Sequence, residues 1–362
     1  LKIINYRTIE ELEINFPSFY TAICGKNDSG KTNVVNALRG IMKEDTPFSY
    51  YDDIFSIKDD YPKWKENETK DKFITLQLTT EVNKDKDAGI YNFLTTYLSL
   101  EKAEESLTLV VEATYKEELE KQDVIVTVQN TSIDGYKAQD ILKKLQGSRT
   151  FLFHNSTDTD SRYHYRYSRG LLKDLSEKNL KQVDELINYV NKRLQKVAKL
   201  QQEEITELLG KLENKYKVGL SIPIFDLSTM PVSISLGDSK INVSLDDWGS
   251  GTQNRTLILL TLLRAKQIST VAASASKVTP IIVIEEPESF LHPSAQAEFG
   301  RVLQDLAEEF NVQVIVTTHS PYLLSIAKPE SNILLERKVL RNQLRETISV
   351  DTSTSNWMEP FG

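Results

Sequence analysis

The chain has 362 residues, of which 40% are hydrophobic and 27% are charged, and its formal net charge is −8 at pH 7. This composition is ordinary for a globular protein of two or three modules, and the net charge argues against a uniformly basic nucleic-acid surface. A single cysteine, Cys24, excludes a disulfide framework. The longest strongly apolar run, residues 257–263, is too short to cross a bilayer, so we expect a cytoplasmic protein with no membrane partner.

The N-terminal third has the period-two apolar alternation of β-strands. Such alternation occurs in residues 3–6, 12–16, 73–82, 106–115 and 123–130. The first two segments are predicted to lead into an apolar strand over 20–24, and the last three predict an antiparallel sheet. A helix is predicted over 33–42, and the polar stretch over 44–70 is interpreted as a surface excursion.

Residues 25–32, GKNDSGKT, fit the pattern G-x-x-x-x-G-K-[ST] between a predicted strand and a predicted helix. Glycines at both ends allow backbone N–H groups to turn toward phosphate oxygens. Lys31 supplies positive charge to the β and γ phosphates, and Thr32 offers a hydroxyl to Mg²⁺ at a helix N-terminus. The segment therefore predicts an ATP and Mg²⁺ site whose ligands include Asn27, Asp28, Ser29, Gly30, Lys31, Thr32 and Asn33.

Two later segments supply groups suited to phosphoryl transfer. The apolar run 281–284 ends in Glu285 and Glu286, as a buried parallel strand does when it delivers carboxylates to the edge of a sheet. The first carboxylate would help to hold Mg²⁺, and the second would orient or deprotonate the attacking water. His319 follows the apolar strand 314–316 and is placed to donate a hydrogen bond to the γ phosphate.

The segment between these motifs has a different character. Apolar residues recur at steps of three and four over residues 171–212, which predicts a long helical arm. The spacing is imperfect at Gln201, so a helical hairpin or dimerising bundle fits as well as a continuous coiled coil. We predict an N-terminal lobe over 1–160, the inserted arm over 161–222, a C-terminal lobe over 223–350 and a linker over 351–362.

Two surface segments leave alternatives open. The segment SRYHYRYSRG, residues 161–170, interleaves tyrosines with arginines, so it is either a nucleic-acid or partner contact or a strand edge that leads into the arm. The acidic pairs at 52–53 and 59–60 are interpreted as solvating a loop, and the pair at 246–247 as helix caps. We therefore find no second cluster of acidic residues that would predict a nuclease site, and we expect no nuclease activity from this chain alone.

The order of the motifs carries a family resemblance. GKNDSGKTN, the Gly-Ser-Gly helix start at 249–251, IIVIEEPE and TTHS occur in the order that is typical of ABC-type ATPases of the RecF and SMC class. With IEEPESFLHP and TTHSPYLL, the chain most closely resembles the ATPase domain of the OLD (overcoming lysogenization defect) family of nucleases. The resemblance implies an α/β fold: an ABC-type P-loop ATPase head with a mixed sheet flanked by helices, an antiparallel β subdomain and an inserted helical arm or dimerisation domain.

The resemblance also implies residue roles. Lys31 and Thr32 would be phosphate and Mg²⁺ ligands together with Glu285 as a second metal ligand, Glu286 the catalytic glutamate and His319 the switch histidine. Ser250 and Gly251, with Gln253, would form the signature that reaches the γ phosphate of another subunit, so hydrolysis would require a dimer. Arg7 would lie near the nucleotide. The position that commonly supplies a metal-sensing glutamine offers His154 and Asn155 instead.

Three functions fit these motifs. The first is an ATP-hydrolysing dimeric switch that controls a DNA endonuclease, carried by a Toprim domain or a partner subunit, in defence against phage. The second is a DNA-repair or structural ATPase of the RecF or SMC type that clamps nucleic acid without cutting it. The third is an ATP-sensing scaffold that barely turns over, against which Glu286 argues, because a scaffold needs no acid to position water.

Overall fold

The computed structural model describes residues 1–42, 55–65, 71–100, 104–116, 123–146, 149–157, 177–209, 234–237, 242–270, 277–340 and 343–352. The chain divides into two compact units. The first unit comprises residues 1–159 and 248–362, and the second comprises residues 160–247. The division into four segments expected from the sequence stays a prediction.

The helices and strands follow the chain in a simple order. Before residue 160 they are β1 (Lys2–Tyr6), β2 (Ile9–Glu13), β3 (Tyr20–Cys24), α1 (Lys31–Met42), α2 (Ile57–Asp60), β4 (Phe73–Asn83), α3 (Ala88–Tyr97), β5 (Ser106–Lys116), β6 (Asp123–Val128), β7 (Thr131–Ile133), α4 (Gly135–Leu145) and β8 (Phe151–Asn155). The second unit contains α5 (Glu177–Leu209), β9 (Ser235–Gly237) and β10 (Asn242–Ser244). The first unit resumes with α6 (Ser250–Thr270), β11 (Ile281–Glu285), α7 (Pro293–Phe310), β12 (Gln313–Thr318), β13 (Asn332–Leu340) and β14 (Gln343–Val350).

One sheet of the first unit is antiparallel and has the strand order β2-β1-β4-β5-β6-β7. Its long central pair runs in register from Phe73 opposite Lys116 to Asn83 opposite Ser106. Alternate residues of these strands are buried, including Ile74 and Leu76, because period-two alternation places every second side chain on one face. The antiparallel sheet predicted from the sequence is therefore present. Its last strand leads into α4, an amphipathic helix that the sequence reading did not identify.

The other sheet has the order β14-β13-β3-β12-β11-β8. The strands from β13 to β8 are parallel, and β14 is antiparallel at the edge. All five residues of β3 are buried, as expected for a strand in a sheet that is covered on both faces. The register places Asn155, Glu285 and Thr317 side by side at the carboxyl ends of their strands. This edge is where ligands bind in open α/β sheets.

The polar stretch over 44–70 is more than a surface excursion, which corrects the sequence interpretation for its described part. Within residues 55–65, Phe55 is buried with its ring 5.0 Å from the ring of Tyr6 and 5.0 Å from that of Tyr115. The ring also covers Gly40 of α1, where an added Cβ atom would lie 1.9 Å from it. Phe55 therefore joins α1 to the antiparallel sheet, and this contact depends on a glycine in the helix.

The second unit contains one helix of 33 residues, α5, in its described part. The apolar spacing is imperfect at Gln201, where the sequence allowed a hairpin turn, but the helix continues through this residue. The described part of the predicted arm is therefore one continuous helix from Glu177 to Leu209. Several apolar side chains on it are exposed: Val183, Leu186, Tyr189, Val190, Val197 and Leu200. The Tyr- and Arg-rich segment 161–170 lies outside the described residues. In the part of the chain that the structure describes, no helix combines the length and apolar character required to cross a membrane.

Candidate functional site

Lys31 is the first residue of α1 and is held inside the loop that precedes the helix. Its Nζ donates hydrogen bonds to the carbonyls of Gly25 and Lys26, at 3.0 Å each. The residue is only 6% exposed, and burial lowers the pKa of its ammonium group. Neutral carbonyls are weaker partners than phosphate oxygens. The loop therefore presents a positive charge that an incoming anion can engage.

Two glycines bring this loop close to the C-terminal hairpin β13–β14. Gly25 has a φ of +149° and Gly30 a φ of +104°, backbone conformations that favour glycine. A Cβ atom on Gly25 would lie 2.3 Å from the carbonyl oxygen of Leu335, and one on Gly30 would lie 2.5 Å from Oγ1 of Thr347. Both positions therefore require glycine, and the hairpin supports the loop from one side.

The apex of the loop contains the other predicted phosphate ligands. Asn27 and Asp28 are exposed, and Asp28 adopts a φ of +62°. The carbonyl of Asp28 accepts a hydrogen bond from Nη1 of Arg337 in β13, at 3.3 Å. Ser29 is buried, and its Oγ has no hydrogen-bond partner among the described residues. The apex thus leaves one buried hydroxyl and the exposed backbone available to a ligand.

Glu285 is the last residue of β11 and lies between Asn155 and Thr317 of the neighbouring strands. Burial raises the pKa of its carboxyl group to about 6; Arg39 of α1 opposes this shift and Glu286 adds to it. The guanidinium of Arg39 lies 3.9 Å from the centre of the Phe153 ring. A nearby cation would favour the charged form of such a carboxyl group, so the position suits the predicted metal ligand.

Glu286 turns away from the strand that carries Glu285. Its φ of +49° is in the left-handed region, which costs energy in a residue with a side chain. The N–H of Glu286 donates to the carbonyl of Thr317 at 2.9 Å, and the hydroxyl of Ser289 lies 3.4 Å from its Oε2. This turn directs the two adjacent carboxylates to different partners.

His319 follows β12 and lies between Lys31 and Glu286. Its Nδ1 is 3.5 Å from Nζ of Lys31, and its Nε2 is 3.7 Å from Oε1 of Glu286. Burial lowers the pKa of the imidazole, Lys31 lowers it further, and Glu286 opposes the shift. The folded chain therefore brings together the three residues that the sequence predicted to be catalytic, from three different segments.

Thr32 and Asn33 occupy the first turn of α1. Thr32 is exposed, so its hydroxyl is accessible to a ligand at the helix N-terminus. The side-chain amide of Asn33 donates to Oγ1 of Thr8 at 2.8 Å, and that hydroxyl lies 2.7 Å from Oγ1 of Thr347. Nη1 of Arg7 lies 3.5 Å from Oδ1 of Asn33. Arg7 thus lies beside α1, and its expected place near the nucleotide stays a prediction.

Asp60 corrects the interpretation of the acidic pair at 59–60 as solvating groups. It is 5% exposed, and its Oδ1 accepts a hydrogen bond from Nε of Arg7 at 2.7 Å. Its Oδ2 accepts from the N–H of Ser56 at 2.9 Å. Asp60 was misread because Arg7, a partner distant in sequence whose side chain is 40% exposed, compensates a carboxylate that composition alone would place in solvent.

The predicted signature begins α6. Ser250 is exposed, and a Cβ atom on Gly251 would lie 2.6 Å from the carbonyl oxygen of Phe290. The side chain of Gln253 donates from Nε2 to the carbonyl of Trp248 at 2.7 Å. Within the described ranges, no hydrogen bond joins Ser250 or Gly251 to the P-loop of the same chain.

His154 stands at the end of β8, at the position where the resemblance led us to look for a metal-sensing side chain. It is 1% exposed, and its Nε2 lies 2.8 Å from Oδ1 of Asn254 in α6. Asn155, the next residue, is level with Glu285 at the edge of the sheet. The side-chain oxygen of Asn155 accepts hydrogen bonds from Thr157. Of these two residues, Asn155 is the one that the register places beside Glu285.

Glu288 was missed in the sequence reading. Its Oε1 accepts hydrogen bonds from the N–H of His319 and from the hydroxyl of Thr318, both at 2.7 Å. Burial raises the pKa of its carboxyl group. A signal was present in the sequence: a third acid follows the acidic pair after one proline, in a turn that must lie near the end of the next strand.

Comparisons with known proteins show which family and which relatives the chain is similar to. The family described as AAA ATPase domain matches residues 1–324. The chain is 21% identical to Endonuclease GajA of Bacillus cereus (strain HuB5-5) over 367 aligned residues, covering 86% of this chain and 53% of that protein. It is 30% identical to the Old nuclease of Escherichia phage P2 over 131 residues, covering 34% of this chain and 22% of that protein. The chain therefore spans about half the length of GajA.

The fold is similar to that of an SMC head. A crystal structure of the SmcHead bound to the C-winged helix domain of ScpA superposes with a TM-score of 0.54 at 15% identity, covering 97% of this chain and 96% of that chain. The fold class predicted from the motifs, an ABC-type P-loop ATPase head, is confirmed by this likeness. The predicted resemblance to OLD-family ATPase domains is confirmed by the matches to GajA and the Old nuclease.

Proposed function

We propose that this chain, which belongs to the AAA ATPase domain family, uses ATP hydrolysis to drive a dimeric switch that controls a DNA endonuclease. One observation carries the proposal: Lys31, His319 and Glu286 lie in contact, with His319 3.5 Å from Lys31 and 3.7 Å from Glu286. A lysine for phosphate charge, a histidine and an acid that can face water are the groups that phosphoryl transfer requires.

Each group has a separate task in the proposed reaction. Lys31 neutralises charge on the phosphates. Burial and Lys31 lower the pKa of His319, which favours the neutral imidazole, a form that can donate one hydrogen bond and accept another. Glu286 orients the attacking water and accepts its proton. The left-handed backbone of Glu286 holds its carboxylate on the side of His319, apart from Glu285.

The residues at the sheet edge fit Mg²⁺. The exposed hydroxyl of Thr32 and the carboxyl group of Glu285 are hard oxygen donors, and Mg²⁺ in NTPase sites takes few protein ligands beside phosphate oxygens and waters. Among the described residues, no group of three or more His, Cys, Asp or Glu side chains could hold a metal ion by itself. Bound there, Mg²⁺ would supply charge stabilisation to the transferring phosphoryl group.

The exposed position of Ser250 supports a shared site. Ser250 and Gly251 begin a helix of 21 residues, so their N–H groups can meet an anion, and no hydrogen bond in the described part of the chain ties them to its own P-loop. We assign these residues, with Gln253, to the γ phosphate of the nucleotide held by a second copy. ATP turnover would then require at least a dimer.

Control of DNA cutting is supported by the named relatives, an endonuclease and a nuclease, both longer than this chain. The cutting site would reside in a Toprim domain or in a partner subunit, and a role in defence against phage follows from the OLD resemblance. The likeness to the SMC head concerns the fold alone. A clamp that holds DNA without cutting is therefore the alternative, and a cleavage assay distinguishes the two.

The proposal is tested by comparing Lys31→Ala, Glu286→Gln and the exposed control Glu298→Ala. Lys31→Ala should abolish ATP binding, whereas Glu286→Gln should bind ATP and hydrolyse it at least about 100-fold more slowly in a single turnover. Glu298→Ala should match the parent. Hydrolysis by Glu286→Gln at the parent rate would refute the assigned role of Glu286.

Plasmid cleavage measured beside ATP turnover on the same preparation tests the second half of the proposal. The chain alone should hydrolyse ATP and leave DNA intact. Cleavage that persists in Glu285→Ala and needs no added subunit would mean that this chain carries a cutting site of its own.

A further inference from the structure

Glu288 links the acidic turn after β11 to the end of β12. Its Oε1 accepts two hydrogen bonds of 2.7 Å, one from the backbone N–H of His319 and one from the hydroxyl of Thr318. A carboxylate that accepts a backbone N–H fixes the peptide group that carries it. The backbone of His319 is therefore tied to a residue only two positions beyond the proposed catalytic acid, Glu286.

The turn that carries Glu288 has little freedom. Glu286 begins it with a φ of +49°, Pro287 is buried, and the N–H of Ser289 donates to the carbonyl of Glu286 at 2.9 Å. Proline fixes one backbone angle, and the hydrogen bond closes the turn. The turn therefore holds Glu288 rigidly, so its carboxylate can fix the position of the backbone at the end of β12.

Further contacts hold the backbone after His319. The N–H of Ser320 donates to Oγ1 of Thr318 at 2.9 Å, and the hydroxyl of Ser320 donates to Oε1 of Gln296 at 2.7 Å. Glu288 thus acts on the residue itself and on Thr318 before it, while Gln296 holds the residue after it. These contacts fix the backbone on both sides of His319, and its imidazole lies between Lys31 and Glu286.

The carboxyl group of Glu288 is kept where it is costly. Its Oε2 is buried and has no hydrogen-bond partner among the described residues. Burying an acceptor without a partner destabilises the folded state. A contact that only held the turn after β11 against the end of β12 would not require a charged group, because apolar side chains stabilise such a contact more favourably.

We propose that Glu288 is a positioning residue for ATP hydrolysis, which acts by fixing the backbone of His319 so that its imidazole bridges the phosphate-binding lysine and the water-orienting acid. This inference rests on the proposed catalytic role of His319. The hydrogen bonds of the Glu288 Oε1 go to Thr318 and His319, while the charge of Glu288 also acts on Lys31, whose ammonium pKa it raises against the larger effect of burial.

The test is a double-mutant cycle on the intact chain with ATP as the probe. Glu288→Ala removes both hydrogen bonds, His319→Ala removes the imidazole, and the double variant removes both. Glu288→Gln is the conservative variant, because its amide oxygen can still accept from Thr318 and His319. Glu298→Ala is the control for loss of an exposed carboxylate, on α7. Nucleotide Kd, kcat and thermal unfolding are measured for each.

The inference predicts that Glu288→Ala lowers kcat about tenfold or more with ATP affinity within about threefold of the parent. Glu288→Gln should recover most of the lost kcat. In the His319→Ala background, Glu288→Ala should have no further effect on kcat, because a residue that acts through another is non-additive with it.

The outcomes separate this inference from the proposed function. Parent-like hydrolysis by His319→Ala would overturn the role of His319 in the proposed function itself. Two results would overturn the positioning role of Glu288 and leave the role of His319 intact. In the first, His319→Ala lowers kcat but Glu288→Ala has the parent kcat. In the second, the two reductions in kcat multiply in the double variant. Glu288→Ala could also lower kcat only in proportion to a lower thermal unfolding temperature, with no recovery of kcat in Glu288→Gln. That result would assign Glu288 a role in stability and would also overturn the inference.

Discussion

Arg7 donates from Nε to Oδ1 of Asp60 at 2.7 Å, joining the turn after β1 to the short helix α2. The backbone reinforces the pair, because the N–H of Arg7 donates to the carbonyl of Asp60 at 2.6 Å. Arg7 also has a φ of +50° and lies beside Asn33 of the P-loop helix. The pair therefore ties the N-terminal hairpin β1–β2 to the segment that precedes β4.

Arg7→Ala should lower the free energy of unfolding by about 1–3 kcal/mol, because it leaves the Asp60 carboxylate buried without its cation. Lys2→Ala is the matched control, since Lys2 of β1 pairs with Glu11 of β2 at 2.7 Å, with side chains 34% and 62% exposed. An exposed pair contributes little to stability, because solvent screens it, so Lys2→Ala should have a much smaller effect than Arg7→Ala. Urea denaturation of both variants makes the comparison, and equal losses would contradict the buried role of Asp60.

Gly30→Ala should abolish measurable ATP binding. The added methyl group would meet Oγ1 of Thr347 at 2.5 Å and would impose an unfavourable φ of +104° on alanine. Gly135→Ala is the control for the backbone effect alone, because Gly135 has a φ of +61° and nothing within 4 Å of its added Cβ. It should cost about 1 kcal/mol of stability and leave ATP binding intact. Parent-like binding by Gly30→Ala would show that the hairpin does not constrain the loop.

The raised pKa of Glu285 predicts a pH dependence of stability in the presence of EDTA. The folded-state pKa, about 6, is above the ordinary value of 4.5, so the folded state binds the proton more tightly. The resulting stabilisation is fully present below pH 4.5 and is lost as the pH rises through 6, at most about 2 kcal/mol. Glu285→Gln should remove this slope. If parent and variant keep the same difference in unfolding free energy from pH 4.5 to 7, the carboxyl group is not perturbed.

The exposed apolar side chains of α5 predict an effect on assembly. Val183, Leu186, Val190, Val197 and Leu200 follow steps of three and four that are typical of a helix-packing seam. Leu186→Glu together with Val190→Glu should shift the chain toward monomer in analytical ultracentrifugation and lower ATP turnover at low protein concentration. Glu185→Gln and Lys192→Gln, which change charge on exposed positions of the same helix, serve as the control pair. Unchanged mass in the Leu186 and Val190 variant would remove this helix from the dimer contact.

Sequence patterns predicted the elements whose chemistry is local. The P-loop, the strands of the antiparallel sheet and the acid-bearing end of β11 each follow from residue spacing within one segment, as does the helical character of residues 177–209, whereas the mixed sheet was expected only from the family resemblance. The patterns could not reveal relationships made by distant residues, such as Asp60 with Arg7, Phe55 over Gly40, or Glu288 with the backbone of His319. Each of these depends on tertiary contacts that compensate a buried charge or fill the space above a glycine, and neither effect has a periodic signature.

The shared site is tested most directly by mixing two inactive variants. Lys31→Ala lacks the phosphate lysine but keeps the signature, and Ser250→Arg blocks the exposed signature but keeps the P-loop. In a heterodimer, the P-loop of the Ser250→Arg copy would meet the intact signature of the Lys31→Ala copy. Random pairing should therefore restore about a quarter of the parent ATP turnover in the mixture, with each variant inactive alone. No recovery on mixing, with heterodimers demonstrated, or full turnover by Ser250→Arg alone would contradict hydrolysis at a site shared between two copies.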